Sequence, residues 1–334
     1  MKDHTTFRRE VLITAGELAT LLGQPCPNLV VLDVRWSLAE PDGHRAYVAG
    51  HIPGAHYVDL EQDLAGPAGA GGRHPLPDID RLQAAARRWG INACDQVVVY
   101  DDSGGTAAAR AWWLLRWGGL NRVRILDGGL AAWSEEGGIL EDGAVTVPPG
   151  TVTLSPGNMP ATDADGAFTY AREGVLLDAR DRDRYTGERE PVDPKGGHIP
   201  GARSAPTTEN LDGDRRFRSE AELRAHFRRV GVGPTDKVAV YCGSGVTAAH
   251  QIAALSSIGI EATLYPGSWS QWCTDSERPV ATGLEPLGET DGASAAAAGP
   301  AAAAGPGAAA GRAVRDRVGD RDRAADPGLE RVAD

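Results

Sequence analysis

The chain has 334 residues, 41% of them hydrophobic, which is enough for two domains with ordinary cores. A net charge of -12 without a basic cluster argues against nucleic acid as a partner, and no apolar run is long enough to span a membrane. The first residues lack the apolar stretch of a secretory signal, and the 4 cysteines (Cys26, Cys94, Cys242, Cys273) form no CxxC pair. That spacing is poor for zinc and sparse for a disulfide framework, so a reducing cytoplasm is the expected setting.

Short β-branched runs alternate with helical stretches along the chain. Val30-Val-Leu-Asp-Val-Arg35 reads as a strand that ends in Asp-x-Arg, and Gly50-His-Ile-Pro-Gly-Ala55 follows. Val97–Tyr100 reads as a buried strand, and the Ala/Leu-rich stretch Ala107–Arg116 as the helix after it. Trp112, Trp113, Trp117 and Trp133 read as core and interface aromatics. Pro148-Pro-Gly and Pro156-Gly-Asn-Met-Pro160 mark a linker.

The series then repeats. Val175-Leu-Leu-Asp-Ala-Arg180 answers the first strand, and Gly197-His-Ile-Pro-Gly-Ala202 the His-Ile-Pro-Gly station. Ser219 opens a helix with Glu222 three residues on, a capping-box pattern. Lys237–Tyr241 is a strand and Ala248–Ser257 a helix, and Pro266-Gly-Ser-Trp-Ser-Gln-Trp272 answers Asp127-Gly-Gly-Leu-Ala-Ala-Trp133. The matching stations lie roughly 140 positions apart throughout, which marks tandem duplication of a whole domain. Strands alternating with helices predict an α/β fold, each copy a parallel β-sheet with helices on both faces. The expected layout is a first domain over 8–147, a linker over 148–161, a second domain over 162–284 and a disordered tail over 285–334. The tail is Ala/Gly/Pro-rich through Ala293–Gly311 and then charged, too poor in large apolar groups to offset its ordering entropy.

One station differs between the copies in its chemistry. The second carries Val238-Ala-Val-Tyr-Cys-Gly-Ser-Gly-Val-Thr-Ala248, where the first has Val97-Val-Val-Tyr-Asp-Asp-Ser-Gly-Gly-Thr-Ala107. A cysteine between a strand and a helix faces backbone N–H groups and the positive end of the helix dipole, a setting that suits an anionic sulfur. Gly243 and Gly245 allow the backbone close to that sulfur, and Val246 and Thr247 complete the loop. Cys242 is therefore the candidate nucleophile, and the first copy, with Asp101 at that place, reads as a scaffold. The other three cysteines read as structural or incidental.

Together the two Gly-His-Ile-Pro-Gly-Ala stations, the paired Asp-x-Arg and the single cysteine loop resemble the tandem-domain rhodanese family of sulfurtransferases over roughly residues 8–284. The resemblance implies two rhodanese-like domains, of which the second is catalytic. It implies transfer of a sulfane sulfur from a small-molecule donor, 3-mercaptopyruvate or thiosulfate, to cyanide, a thiol or thioredoxin through a Cys242 persulfide. No metal or organic cofactor is implied. The neutral loop Gly243-Ser244 resembles the 3-mercaptopyruvate branch, in which Ser244 relays a proton together with a histidine and an acid of the first domain. The matching residues here are His51 and, as the nearest preceding carboxylate, Asp42. Arg180 answers the arginine that contacts the donor's anionic group, with Arg184 and Arg189 as further candidates; Arg180 has a second reading as a partner of Asp178 or Asp181. The loop itself supplies no fixed cation beside Cys242, which favours a monocarboxylate over dianionic thiosulfate. A Cys-x5-Arg phosphatase is excluded because Ala248 stands where the arginine is needed. A non-enzymatic regulatory or sulfur-binding module is the remaining alternative, and the intact cysteine loop argues against it.

Overall fold

The structure is a computed structural model, and it describes residues 4–25, 28–37, 39 and 42–290. The first half builds a five-stranded sheet from β1 (Leu12–Ile13), β2 (Leu29–Asp33), β3 (His56–Tyr57), β4 (Gln96–Tyr100) and β5 (Val123–Leu126) in the order β1-β5-β4-β2-β3. The second half builds a four-stranded sheet from β6 (Val175–Asp178), β7 (Arg203–Ser204), β8 (Val238–Tyr241) and β9 (Ala262–Leu264) in the order β7-β6-β8-β9. All these pairings are parallel, and the two orders coincide once β1 is set aside. A single parallel bridge, Ala161 to Leu264, stands at the edge that β1 occupies in the first sheet.

The central strands form where β-branched residues can be buried on both faces. Val97, Val98, Val99 and Tyr100 are all buried, as are Val238 through Tyr241. Helices start where polar side chains can cap them. Ser219 accepts from the Glu222 N–H while the Glu222 carboxylate accepts from Ser219 N–H, completing the capping box read from the sequence. The helices after the two central strands are Ala108–Trp117 and Val246–Ser257, and they pack on each other across the seam between the halves. Trp112 and Trp113 are fully buried in the apolar cluster that runs through that seam. Both sheets belong to one compact unit.

The paired Asp-x-Arg stations prove to be a repeated internal brace. Arg35 donates to Asp33 through Nε (3.0 Å) and Nη2 (2.6 Å) and to Gly50 O (2.7 Å), and the Tyr100 hydroxyl donates to Asp33 (2.6 Å). Arg180 repeats this on Asp178 (3.0 and 2.6 Å) and Gly197 O (2.5 Å). The histidines of the two His-Ile-Pro-Gly turns repeat as well. His51 stacks on Tyr47 with its Nδ1 2.9 Å from Tyr47 O, and His198 stacks on Tyr185 with its Nδ1 2.9 Å from Tyr185 O.

The second half extends slightly past the expected boundary at 284. Ala281–Thr282 pair antiparallel with Glu289–Thr290, and the Pro286 carbonyl accepts from Gly201 N–H at 2.6 Å. The remainder of the tail reading, 291–334, lies outside the described residues.

Candidate active site

Cys242 directly follows β8 and is 1% exposed, on the floor of a cavity of about 210 Å³ between the halves. Its Sγ accepts from Gly245 N–H at 3.1 Å. Gly245 has φ of 81°, and a Cβ there would stand 2.6 Å from Pro266 O, so no other residue keeps this turn unstrained. The loop is braced from behind. Cys242 N–H donates to Ser268 Oγ (3.1 Å), while Cys242 O and Gly243 O accept from Trp269 and Ser270 N–H (2.9 Å each). Ser268 holds a left-handed φ of 52°, a strained position for a residue with a side chain.

The first half shows what such a loop does with an anion. Asp101 stands where Cys242 does, and its carboxylate accepts N–H bonds from Ser103 (2.9 Å), Gly105 (2.8 Å), Ala107 (2.9 Å) and Ala108 (3.0 Å). Burial raises the Asp101 carboxyl above its ordinary range, and those four bonds oppose the shift. The equivalent amides in the second half belong to Ser244, Val246, Ala248 and Ala249. Gly243, Ser244, Val246 and Thr247 all line the cavity beside Cys242.

Ser244 meets a histidine, but it is His74. His74 Nδ1 lies 2.7 Å from Ser244 Oγ, and Nε2 lies 3.0 and 3.1 Å from the two oxygens of Glu61. The carboxylate requires Nε2 to carry the proton when the ring is neutral, so Nδ1 accepts from the serine hydroxyl. His74 is 2% exposed, and Trp36 packs edge-on against it at 5.6 Å. Burial holds His74 below the ordinary histidine value; Glu61 pulls upward, and Arg110 and Arg73 push the same way as burial. Arg110, in the helix Ala108–Trp117, is fully buried and ties the site together. It donates to Gly245 O (3.2 Å), His74 O (3.1 Å) and Pro75 O (3.2 Å), and burial pushes its guanidinium down to about 10.

These positions correct two expectations. His51 bonds Tyr47 O, its Nε2 is 3.9 Å from Glu141, and it does not line the cavity, because its turn serves the fold in both copies. Asp42 is exposed and accepts from His44 N–H at the start of the helix His44–Ala49, likewise away from the cavity. The signal for His74 was an unmatched segment. Between its His-Ile-Pro-Gly turn and the helix Ile79–Arg88 the first copy is longer than the second is between its turn and Glu220–Arg229, and that stretch carries Gly71-Gly-Arg-His-Pro75.

The arginine candidates separate too. Arg180 lines the cavity, yet its fork is committed to Asp178 and Gly197 O, it lies 4.4 Å from the Trp269 ring, and Nη1 approaches Glu190 at 3.4 Å. Arg189 is exposed, pairs with Asp183 at 3.4 Å and does not line the cavity. Arg184 does line it, held from behind by Glu190 (Nε 3.0 Å, Nη2 2.8 Å). The loop supplies no cation of its own, as expected, and the cations near Cys242 come from elsewhere in the chain: Arg184 and Arg73 both reach over Gly243. Cys94 is exposed, Cys273 is buried with its thiol pushed up to about 11 by burial, and Cys26 lies outside the described residues. Among the described residues no cluster of ligands suits a metal ion, and no helix is long and apolar enough to cross a membrane.

Comparison with known proteins adds the lineage. The rhodanese-like domain family matches residues 14–136 and 166–275. A Pseudomonas aeruginosa protein named "Probable 3-mercaptopyruvate sulfurtransferase" is 48% identical over 282 residues, 81% of this chain and 98% of that one. A Mycobacterium tuberculosis protein, SseB, assigned by name to thiosulfate sulfurtransfer, is 47% identical over 281 residues, 83% of this chain and 98% of that one. The crystal structure of SseA from Escherichia coli, titled as a 3-mercaptopyruvate sulfotransferase, superposes with a TM-score of 0.69 at 32% identity, covering 78% of this chain and 98% of that one.

Proposed function

The chain belongs to the rhodanese-like family as a tandem-domain sulfurtransferase, and on that footing we propose that Cys242 takes a sulfane sulfur from 3-mercaptopyruvate and passes it on as a persulfide. Cyanide, a small thiol or thioredoxin is the acceptor, in a reducing cytoplasm that keeps the thiol free. The observation that carries the choice of donor is the Ser244–His74–Glu61 relay beside the sulfur.

The chemistry needs that relay for one donor only. The Cys242 thiolate attacks the thiol sulfur of mercaptopyruvate; an S–S bond forms, the C–S bond breaks, and pyruvate leaves as its enolate. The donor's own S–H proton passes through Ser244 to His74 and returns to the enolate carbon. The products are a Cys242 persulfide anion and pyruvate, with atoms and charge conserved. Thiosulfate, by contrast, expels sulfite, which needs no proton. The persulfide's outer sulfur takes the position that the Asp101 carboxylate fills in the first half, under loop amides that stabilise its charge without reorganisation.

The test compares kcat/KM for 3-mercaptopyruvate and thiosulfate with cyanide as acceptor, and reads the mass of the donor-treated protein. The wild type gains one sulfur atom and prefers mercaptopyruvate; Cys242→Ser does neither. Turnover in Cys242→Ser refutes the mechanism, and a tenfold preference for thiosulfate refutes the donor assignment.

A further inference from the structure

The cations gathered round the sulfur loop come with acids, with one exception. Arg73 pairs with Asp193, Arg184 with Glu190 and Asp193, Arg180 with Asp178, and His74 with Glu61. Arg110 is fully buried, yet among the described residues no carboxylate stands within ion-pair distance of it. Its guanidinium is caged by four backbone carbonyls: Nε donates to Leu64 O (3.2 Å), Nη2 to His74 O (3.1 Å) and Pro75 O (3.2 Å), and Nη1 to Gly245 O (3.2 Å). Carbonyl dipoles solvate a cation but do not neutralise it, and a buried charge is costly unless an opposite charge lies near. The anion that can answer it is the sulfur. Gly245 accepts from Arg110 through its carbonyl and donates its N–H to Cys242 Sγ at 3.1 Å, so one residue links the guanidinium to the nucleophile. Burial acts to drive the proton off Arg110, and the charge that opposes this is Cys242.

We propose that Arg110 is a positioning residue whose buried charge, sent across the seam from the first half, is the counter-ion of the Cys242 sulfur anion; this rests on the reading of Cys242 as the sulfur acceptor. The sulfur is anionic at both ends of the cycle. The thiolate attacks the donor to begin it. To close it, cyanide attacks the outer sulfur, an S–C bond forms, the S–S bond breaks, and the Cys242 thiolate is the leaving group as thiocyanate departs. A fixed cation behind the loop favours each of these states, whichever donor supplied the sulfur. That separates Arg110 from His74, whose proton relay serves one donor only.

Alkylation of Cys242 by neutral iodoacetamide reads the sulfur anion without any sulfur transfer. Arg110→Gln keeps hydrogen-bond donors and removes the charge. It is expected to slow Cys242 alkylation at neutral pH by about tenfold and to move the rate-against-pH curve up by about one unit. Cys94, which is exposed, is the internal reference and keeps its rate. Arg110→Lys keeps the charge with fewer bonds, and its alkylation rate stays within about threefold of wild type. With cyanide as acceptor, kcat/KM falls in Arg110→Gln for thiosulfate and mercaptopyruvate alike. A residue that merely braced the seam would act the other way, since its loss would loosen the loop round a cysteine that is 1% exposed and speed alkylation. Faster or unchanged alkylation in folded Arg110→Gln therefore overturns the proposal, as does equal slowing in Arg110→Lys. The ultraviolet thiolate absorbance of wild type minus Cys242→Ser at neutral pH needs no arginine variant; its presence supports the proposal and its absence overturns it, even if neither variant folds. Donor-treated wild type that gains no sulfur overturns the sulfur-transfer reading instead, and leaves the alkylation comparison standing.

Discussion

Replacing His74 by glutamine separates the two donors. Glutamine keeps an acceptor for Ser244 and a donor for Glu61 in nearly the same volume, so the fold is retained, but it cannot carry a proton. His74 is buried and its bond to Ser244 is short, 2.7 Å, so bulk water is a poor substitute. A positioned acid–base group contributes about 10²–10⁴ in rate, or about 2.7–5.5 kcal/mol of barrier. That loss is expected in kcat for 3-mercaptopyruvate, followed by pyruvate release in a coupled dehydrogenase assay. Thiosulfate turnover, followed as thiocyanate, is expected to change by less than about threefold. Glu61 is 46% exposed, so water takes over part of its role, and Glu61→Gln should cost only about tenfold. Burial keeps His74 below its ordinary value, so the neutral ring is the resting form, and it accepts the donor's proton first. The acid limb of kcat/KM for mercaptopyruvate therefore lies below pH 6.5 and disappears in His74→Gln. Equal losses with both donors, or no loss with mercaptopyruvate, refute the relay.

Two further outcomes concern stability. Arg180→Ala breaks a buried charge pair and leaves Asp178 uncompensated, so unfolding in denaturant should show a loss of about 3–5 kcal/mol; a large rise in donor KM with unchanged stability would return Arg180 to donor binding. Burial pushes His250 down to about 4 from 6.5, so the native state binds fewer protons than the unfolded chain between those values. Its contribution is complete above pH 6.5 and is lost as pH falls toward 4, about 3 kcal/mol in all. The unfolding free energy of His250→Gln should fall less steeply than that of wild type over this window, and parallel curves would contradict the assignment.

The fold was legible because duplication writes each element twice. Val97–Tyr100 and Val238–Tyr241 predict each other, and the strand–loop–helix around Cys242 is a local pattern. The same habit weights the site reading toward what recurs. Matching the copies favours His51 and Arg180, which recur with the shared turn and the shared brace; of the two, only Arg180 lines the cavity. His74, Arg73 and Arg110 come to the cysteine loop from across the seam, and no local periodicity records a contact between residues 170 positions apart, as His74 and Ser244 are. The neutral loop at Gly243 carries no cation in its own sequence, and the two that stand over it, Arg73 and Arg184, come from distant segments.

The bonds of Arg110 and His74 to the loop of the other half carry a consequence for how such a chain can change. After duplication one copy kept the sulfur loop, and the other closed its own with Asp101 while contributing the arginine, the histidine and the glutamate. Neither copy is now a spare. Deleting the inert-looking half removes the proposed proton relay, and deleting the cysteine half removes the proposed nucleophile, so a gene split at the linker is expected to yield two inactive products unless they reassociate. A duplication that began as redundancy has become a mutual dependence that neither half can leave alone.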